Sequence, residues 1–180
     1  MILVAVGSNL ISTNGLTPYQ FCNMAVEALA GLPGLSVAAV SRWYRSAPVP
    51  RSDQPDYVNG VARLEALAGH EEPDPAALLS ALQAIEQAHG RRRSVPNAAR
   101  TLDLDIVAMG PGGQLVRDRP DPVLPHPRAH LRAFVLLPLR DVAPDWTEPR
   151  SGLRVARLVA GLTTAEREPP AIAVVPTERL

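Results

Sequence analysis

Two aspartates, Asp103 and Asp105, occupy alternate positions in the apolar segment from Thr101 to Met109. The alternation of leucine and aspartate predicts a strand whose side chains point in turn to opposite faces. The two carboxylates would then lie on one face, with their Cα atoms about 6.5–7 Å apart. Such a pair suits Mg²⁺, which prefers one or two carboxylates completed by phosphate oxygens and water. The alternative is the solvated face of an ordinary antiparallel strand.

A run of ten residues before this strand contains arginines and no acidic residue: Arg91, Arg92, Arg93 and Arg100. All 18 basic residues of the chain are arginine, so a Walker A phosphate loop and Schiff-base catalysis are excluded. Guanidinium groups bind phosphate oxygens in a forked geometry, and their position beside the aspartates favours a polyphosphate site. The arginines alone would also fit a solvated basic loop or a weak RNA contact.

Aromatic residues flank a proline-rich loop: Trp43 and Tyr44 precede it and Tyr57 follows it, with Asn59 two residues further on. A flat heterocycle could stack on such rings, and a side-chain amide offers it both a donor and an acceptor. Aromatic residues in strands more often belong to the core, so this interpretation depends on the neighbouring motifs.

Two histidines, His126 and His130, have the spacing of metal ligands on a helix, but no cysteine or glutamate accompanies them. A solvent-facing or phosphate-contacting role therefore fits them better than zinc. The only cysteine, Cys22, excludes an intramolecular disulfide and multi-cysteine metal sites.

The composition is that of a globular protein, with 46% hydrophobic and 20% charged residues among 180. The formal net charge is zero, so no global field attracts nucleic acid or an acidic membrane. The apolar run from Met1 to Val6 is too short for a signal peptide or a membrane span, and we expect a cytoplasmic protein.

Periodicity and capping signals predict the order strand, helix, strand, strand, helix, strand before residue 110. These elements fall at residues 1–6, 17–31, 35–43, 57–67, 74–90 and 101–109. The order matches the split β-α-β arrangement, in which both helices cover one face of an antiparallel sheet. We therefore predict an α+β fold that is ferredoxin-like, with helices and sheet in α-β-α layers.

The segment 128–139 is apolar enough to be a buried helix or strand, and its periodicity does not decide between them. A short helix is expected over 153–162. We predict one domain over residues 1–165, followed by a loosely ordered proline-containing tail over 166–180.

Several motifs occur together in one order: Ala5-Val6-Gly7-Ser8-Asn9-Leu10, Asp53-Gln54-Pro55-Asp56-Tyr57-Val58-Asn59, Ile85-Glu86 with Gly90-Arg91, Arg100-Thr101-Leu102-Asp103-Leu104-Asp105-Ile106, and Leu124-Pro125-His126-Pro127. Over residues 2–146 the chain resembles the 6-hydroxymethyl-7,8-dihydropterin pyrophosphokinases of folate biosynthesis. The resemblance implies transfer of the β,γ-diphosphate of ATP to the hydroxymethyl group of the pterin, with release of AMP.

The resemblance also implies two Mg²⁺ ions, ATP as co-substrate and roles for individual residues. Asp103 and Asp105 would hold both metals, and Arg91 and Arg100 would stabilise the transferring diphosphate. Nucleotide contacts would fall on Leu79, Gln83, Glu86, Arg93, Ile106, His126 and Arg132. Pterin contacts would fall on Ser46, Ala47, Val49, Tyr57 and Asn59, with Phe134 stacking on the ring.

The chain departs from the family pattern at three places. Asn97-Ala98-Ala99 replaces an aromatic residue followed by Gly-Pro, Ala47 stands where proline is common, and Asp121 lies about where a basic residue is expected. The alternatives are a pterin- or nucleotide-binding relative without turnover, and a ferredoxin-like RNA-binding module. The expected partners are small-molecule substrates, with no nucleic acid and no membrane, and the expected state is a monomer.

Overall fold

A computed structural model describes residues 1–12, 15–49, 52–91 and 100–162. At its centre is one five-stranded sheet in which every pair of neighbouring strands is antiparallel. The strands are β1 (Ile2–Ser8), β2 (Leu35–Val40), β3 (Tyr44–Ser46), β4 (Tyr57–Ala66) and β5 (Asp103–Ala108). The four longer strands have the order β2-β4-β1-β5, and β3 pairs with β4. This order confirms the predicted ferredoxin-like arrangement.

Helices cover both faces of the sheet, which confirms the predicted α-β-α layers. The α-helices in the described ranges are α1 (Pro18–Ala30), α2 (Pro75–Ala88), α3 (Ala133–Val142) and α4 (Val155–Gly161). The core under α1 and α2 includes Cys22, Leu29, Leu78 and Leu82. A second core under α3 and α4 forms on the opposite face of the sheet. None of these helices has the length and apolar character needed to cross a membrane.

Local signals explain where the first two helices begin. Thr17 and Gln20 form a capping box at the start of α1, in which each side chain bonds the other residue's backbone N–H. Asp74 accepts hydrogen bonds from the Ala76 and Ala77 N–H groups at the start of α2. Each helix has proline at its first position, where the missing N–H costs nothing.

The prediction of one strand over Leu35 to Trp43 is wrong, because two short strands share the same edge of β4 instead. β2 pairs with Ala62 to Ala66, and β3 pairs with Tyr57 to Asn59. Between them Ser41 keeps contact with β4, since its N–H donates to the Val61 carbonyl and its Oγ accepts from the Val61 N–H. The break turns Trp43 into the core, where its ring meets Tyr19 edge to face.

Periodicity does not decide between helix and strand for the segment 128–139, and the structure shows a short 3-10 helix over Ala129–Leu131 followed by the start of α3 at Ala133. The tail 166–180 lies outside the described residues, as do Arg92, Arg93 and Asn97 of the arginine loop. The domain boundary at 165 and the order of the tail stay predictions.

Gly60 of β4 makes room for Trp43 in the core below α1. A Cβ added at Gly60 would lie 2.5 Å from Cζ3 and 2.6 Å from Cε3 of the Trp43 ring. We therefore expect Gly60→Ala to lower the free energy of unfolding by about 1–3 kcal/mol, since overpacking displaces a rigid ring. Urea unfolding followed by Trp43 and Trp146 fluorescence measures this.

Gly161→Ala is the matched control, because a Cβ there has no heavy atom within 4 Å. Its midpoint should equal or exceed that of the unsubstituted chain. If Gly60→Ala unfolds at the same urea concentration as this control, the Trp43 ring does not pack tightly against Gly60 of β4.

Candidate active site

A cavity of about 220 Å³ opens between the sheet and the start of α3. Its floor is formed by neighbouring strands, because the register places Gly7 between Asn59 and Asp103, and Ala5 between Val61 and Asp105. The small residues on β1 leave space above the sheet, and longer polar side chains rise on either side. Neighbouring strands lie about 4.8 Å apart, so the Cα atoms of Asn59 and Asp103, two strands apart, are separated by about 10 Å.

β5 places the two aspartates in this cavity as its alternation predicts. Leu102, Leu104 and Ile106 are buried in the core shared with α1 and α2. Asp103 and Asp105 therefore project from the opposite face, and both line the cavity. The same hydrophobic face that fixes β5 in the fold thus fixes the direction of both carboxylates.

Asp103 is held between two arginines. Arg100 donates from Nη1 to Asp103 Oδ2 at 2.5 Å, and Arg91 Nη1 lies 2.8 Å from Asp103 Oδ1. The charge of Asp103 raises the pKa of Arg100, although burial of that guanidinium acts in the opposite direction. The arginines approach from opposite ends of the loop 91–100, so one carboxylate joins both ends.

Arg91 is positioned by the end of α2. Gly90 adopts a φ of +80°, which favours glycine, and the Arg91 N–H returns to the Glu86 carbonyl at 3.0 Å. The buried Glu86 carboxylate pairs with the Arg91 guanidinium and accepts a hydrogen bond from the Leu104 N–H at 2.7 Å. Burial raises the pKa of Glu86, opposed chiefly by that backbone hydrogen bond and by Arg91. Glu86 thus ties α2, Arg91 and β5 together.

The Asp105 carboxylate has no hydrogen bond or ion pair among the residues that the structure describes, whereas its backbone pairs with Ala5 of β1. Burial is the largest cause that raises the pKa of Asp105, and the neighbouring charge of Asp103 raises this pKa further. His126, Arg100 and Arg132 act in the opposite direction. An additional cation near both carboxylates would relieve this repulsion.

Basic side chains form another wall of the cavity: His126, Arg128 and Arg132. The His126 N–H donates to the Val107 carbonyl at 2.9 Å, which fastens this wall to β5. Burial lowers the pKa of His126, and the nearby Asp105 opposes that shift. Burial and then the charge of Arg128 lower the pKa of Arg132. An anion binding here would offset this concentration of positive charge.

All six predicted pterin residues also line the cavity: Ser46, Ala47, Val49, Tyr57, Asn59 and Phe134. Ser46, Tyr57 and Asn59 belong to β3 and β4, and the Phe134 ring lies under the Arg132 guanidinium, 5.4 Å from its Cζ. Asn59 is buried, and its Nδ2 donates to Ser46 Oγ at 2.8 Å. Burial raises the pKa of Tyr57, so its phenol stays protonated and can donate a hydrogen bond.

The structure does not bring every predicted site residue to this cavity. Arg100, Asp103, Asp105, His126 and Arg132 line it, and Arg91 reaches its edge through Asp103. Leu79, Gln83 and Glu86 lie on α2, and Ile106 points into the core on that side of the sheet. Arg93 lies outside the described residues. The roles of all these residues in binding and catalysis stay predictions.

Sequence reasoning also missed two polar residues of the site, Asn9 and Gln54. Both occur in the motifs that carried the resemblance, but neither pattern assigns them a contact. Asn9 is fully buried and bonds to Arg100 and to Gln54, and Gln54 lines the cavity. These contacts join segments 45 and 91 residues apart in the chain, which periodicity cannot detect.

Comparisons with known proteins show the family to which the chain belongs. The chain matches the family model of 7,8-dihydro-6-hydroxymethylpterin-pyrophosphokinase (HPPK) over residues 3–144. It is 41% identical over 159 residues to 2-amino-4-hydroxy-6-hydroxymethyldihydropteridine pyrophosphokinase of Pseudomonas aeruginosa, covering 88% of this chain and 90% of the relative. The protein of the same name from Synechocystis is 42% identical over 135 residues, which cover 75% of this chain and 65% of that relative.

A crystal structure of an HPPK-DHPS in complex with substrates has the same fold, with a TM-score of 0.57 at 13% identity. The match covers 88% of this chain and 42% of the crystallised one. The chain belongs to the HPPK family. The resemblance inferred from the motifs is confirmed, and with it the prediction of a pyrophosphokinase enzyme.

Proposed function

We propose that this chain transfers the β,γ-diphosphate of ATP to the hydroxymethyl group of 6-hydroxymethyl-7,8-dihydropterin and releases AMP, with Asp103 and Asp105 holding two Mg²⁺ ions. One observation carries the proposal: a single cavity is lined by the two carboxylates of β5 with several cations, and by the polar and aromatic residues Ser46, Tyr57 and Asn59 on its β3 and β4 side. The carboxylates and cations suit the binding of a polyphosphate with its metal ions, and the polar and aromatic residues suit the recognition of a flat heterocycle.

The residues present fit Mg²⁺ that is shared with a phosphorylated substrate. No group of three or more possible metal-ligating side chains occurs in the described part of the chain. Two carboxylates on one strand face, completed by phosphate oxygens and water, are nevertheless a common Mg²⁺ environment. Burial and then the charge of Asp103 raise the pKa of Asp105, and a cation near both carboxylates would offset both effects. Mg²⁺ would supply charge neutralisation for the transferring diphosphate.

The arginines have a second role in this proposal. Arg91 and Arg100 now pair with Asp103, and both guanidinium groups lie where diphosphate oxygens would approach the carboxylates. When the polyphosphate binds, they would exchange a carboxylate oxygen for phosphate oxygens, which they hold in the same forked geometry. Positive charge would then surround the group that gathers negative charge in the transition state.

The pterin end would orient the acceptor. Asn59 offers an amide edge to the heterocycle, and Phe134 offers a ring face. The separation of about 10 Å between Asn59 and Asp103 leaves room for the bicyclic ring and its hydroxymethyl arm. We propose the monomer as the working unit.

The relatives' pyrophosphokinase activity does not favour the non-catalytic and RNA-binding alternatives. An RNA-binding sheet would present exposed aromatic residues on its central strands. Here β1 presents Ala5 and Gly7 to the cavity, beside the carboxylates of β5.

Replacing either carboxylate by an amide should abolish most turnover while the fold persists. We expect Asp103→Asn and Asp105→Asn each to reduce kcat by about 100-fold or more, because each removes a charge that holds Mg²⁺ against the polyphosphate. Formation of AMP from ATP, Mg²⁺ and the hydroxymethyl-dihydropterin measures this.

Asp145→Asn is the control, since it makes the same charge change at a carboxylate that is 90% exposed. It should keep normal activity. Near-normal AMP production by folded Asp103→Asn and Asp105→Asn would show that the metal assignment is wrong.

Asn59→Ala should weaken pterin binding more than ATP binding. The substitution removes the amide that faces the heterocycle, and an unpaired polar group costs about 1–3 kcal/mol, or about 5- to 150-fold in affinity. Calorimetry with each ligand separately tests this.

Asn23→Ala is the control, because Asn23 bonds Trp43 away from the cavity. It should leave both affinities unchanged. Equal losses for pterin and ATP in Asn59→Ala would indicate that Asn59 supports the fold and does not recognise the heterocycle.

A further inference from the structure

Asn9 joins the two ends of the active site through one buried side chain. It follows β1 directly and has no exposed surface. Its Oδ1 accepts from the Arg100 N–H at 2.9 Å, and its own N–H donates to the Arg100 carbonyl at 3.1 Å. Its Nδ2 donates to Gln54 Oε1 and to the Pro55 carbonyl, both at 3.2 Å. The side chain uses both its amide oxygen and its amide nitrogen.

The Arg100 side of this network leads to the phosphate end of the cavity. Asn9 holds the backbone of Arg100 in both directions, as a strand partner would. The guanidinium of Arg100 then reaches Asp103 at 2.5 Å. A displacement of the Arg100 backbone would move a group proposed to bind the transferring diphosphate, and displacements of about 1 Å can cost about 100-fold in rate.

The Gln54 side leads to the pterin end. Gln54 Oε1 accepts from the Tyr57 phenol at 3.4 Å as well as from Asn9, and both Gln54 and Tyr57 line the cavity. A heterocycle that contacts either residue would alter the same acceptor that Asn9 uses. The network therefore runs from Tyr57 through Gln54 and Asn9 to Arg100 without leaving the described residues.

We propose that Asn9 is a positioning residue that couples occupation of the pterin subsite to the position of Arg100. This inference rests on the proposed function, since the two subsites are those of ATP and the pterin. Asn9 is not among the described residues that line the cavity. It acts by joining two loops that each carry substrate-binding groups, so that ordering one loop lowers the cost of ordering the other.

The test is the coupling ratio between the two ligands. The Kd of the hydroxymethyl-dihydropterin is measured by calorimetry without and with a saturating non-hydrolysable ATP analogue and Mg²⁺. The unsubstituted chain should bind the pterin about 5- to 150-fold more tightly in the presence of the analogue. In Asn9→Ala this ratio should fall to within about twofold of one, whatever loss of affinity for the analogue alone accompanies the displacement of Arg100.

Gln54→Ala removes the hydrogen bonds that Gln54 accepts from Asn9 and Tyr57, and it leaves the contacts between Asn9 and Arg100 in place. It should lower the ratio in the same direction, and combining it with Asn9→Ala should add little further loss, because both remove one connection. Asn23→Ala should leave the ratio unchanged. If Asn9→Ala does not fold, Gln54→Ala decides the question alone.

The outcomes separate this inference from the proposed function. If the unsubstituted chain binds neither ligand, the proposed function fails. If it binds both and the ratio is already one, or if the ratio survives in both Asn9→Ala and Gln54→Ala, the coupling role of Asn9 is overturned. A loss of thermal stability with an unchanged ratio would likewise assign Asn9 a structural role only.

Discussion

The site depends on the Asp103 carboxylate held between Arg91 and Arg100. Each of the three residues comes from a different structural context: a strand, the end of a helix and the end of a loop. Uncharged residues help to fix these positions. Leu102 and Leu104 anchor β5 in the core, and Gly90 turns the chain after α2. If the leucines changed faces, the carboxylates would be buried among apolar side chains at prohibitive cost.

The buried Glu86 supports the Asp103–Arg91 pair from the other side of Arg91. Its carboxylate neutralises Arg91 and binds the Leu104 N–H, so the charge is paired and hydrogen-bonded as a buried ion must be. Removing it would leave Arg91 without one of its two carboxylates and would free a buried N–H of β5. Although the formal net charge of the chain is zero, charged groups are concentrated in the cavity. The carboxylates of Asp103 and Asp105 line it together with His126, Arg128 and Arg132.

Much of this could be predicted from the sequence where local physics decides the outcome. The Leu-Asp alternation correctly predicted the direction of Asp103 and Asp105, and the capping residues Thr17 and Asp74 correctly marked where α1 and α2 begin. The break between β2 and β3 could not be predicted, because it accompanies the packing of Trp43 against Gly60, a contact between distant parts of the chain. The role of Asn9 was equally hidden, because its partners Gln54 and Arg100 are distant in the chain.

The most direct test of the account is the identity of the nucleotide product. The chain is incubated with ATP, Mg²⁺ and 6-hydroxymethyl-7,8-dihydropterin, and the phosphorus-containing products are followed by ³¹P NMR. A site that holds the whole β,γ-diphosphate between Asp103, Asp105 and the arginines predicts AMP and a diphosphorylated pterin in equal amounts. Formation of ADP with a monophosphorylated pterin, or no consumption of ATP by the folded chain, would contradict the account.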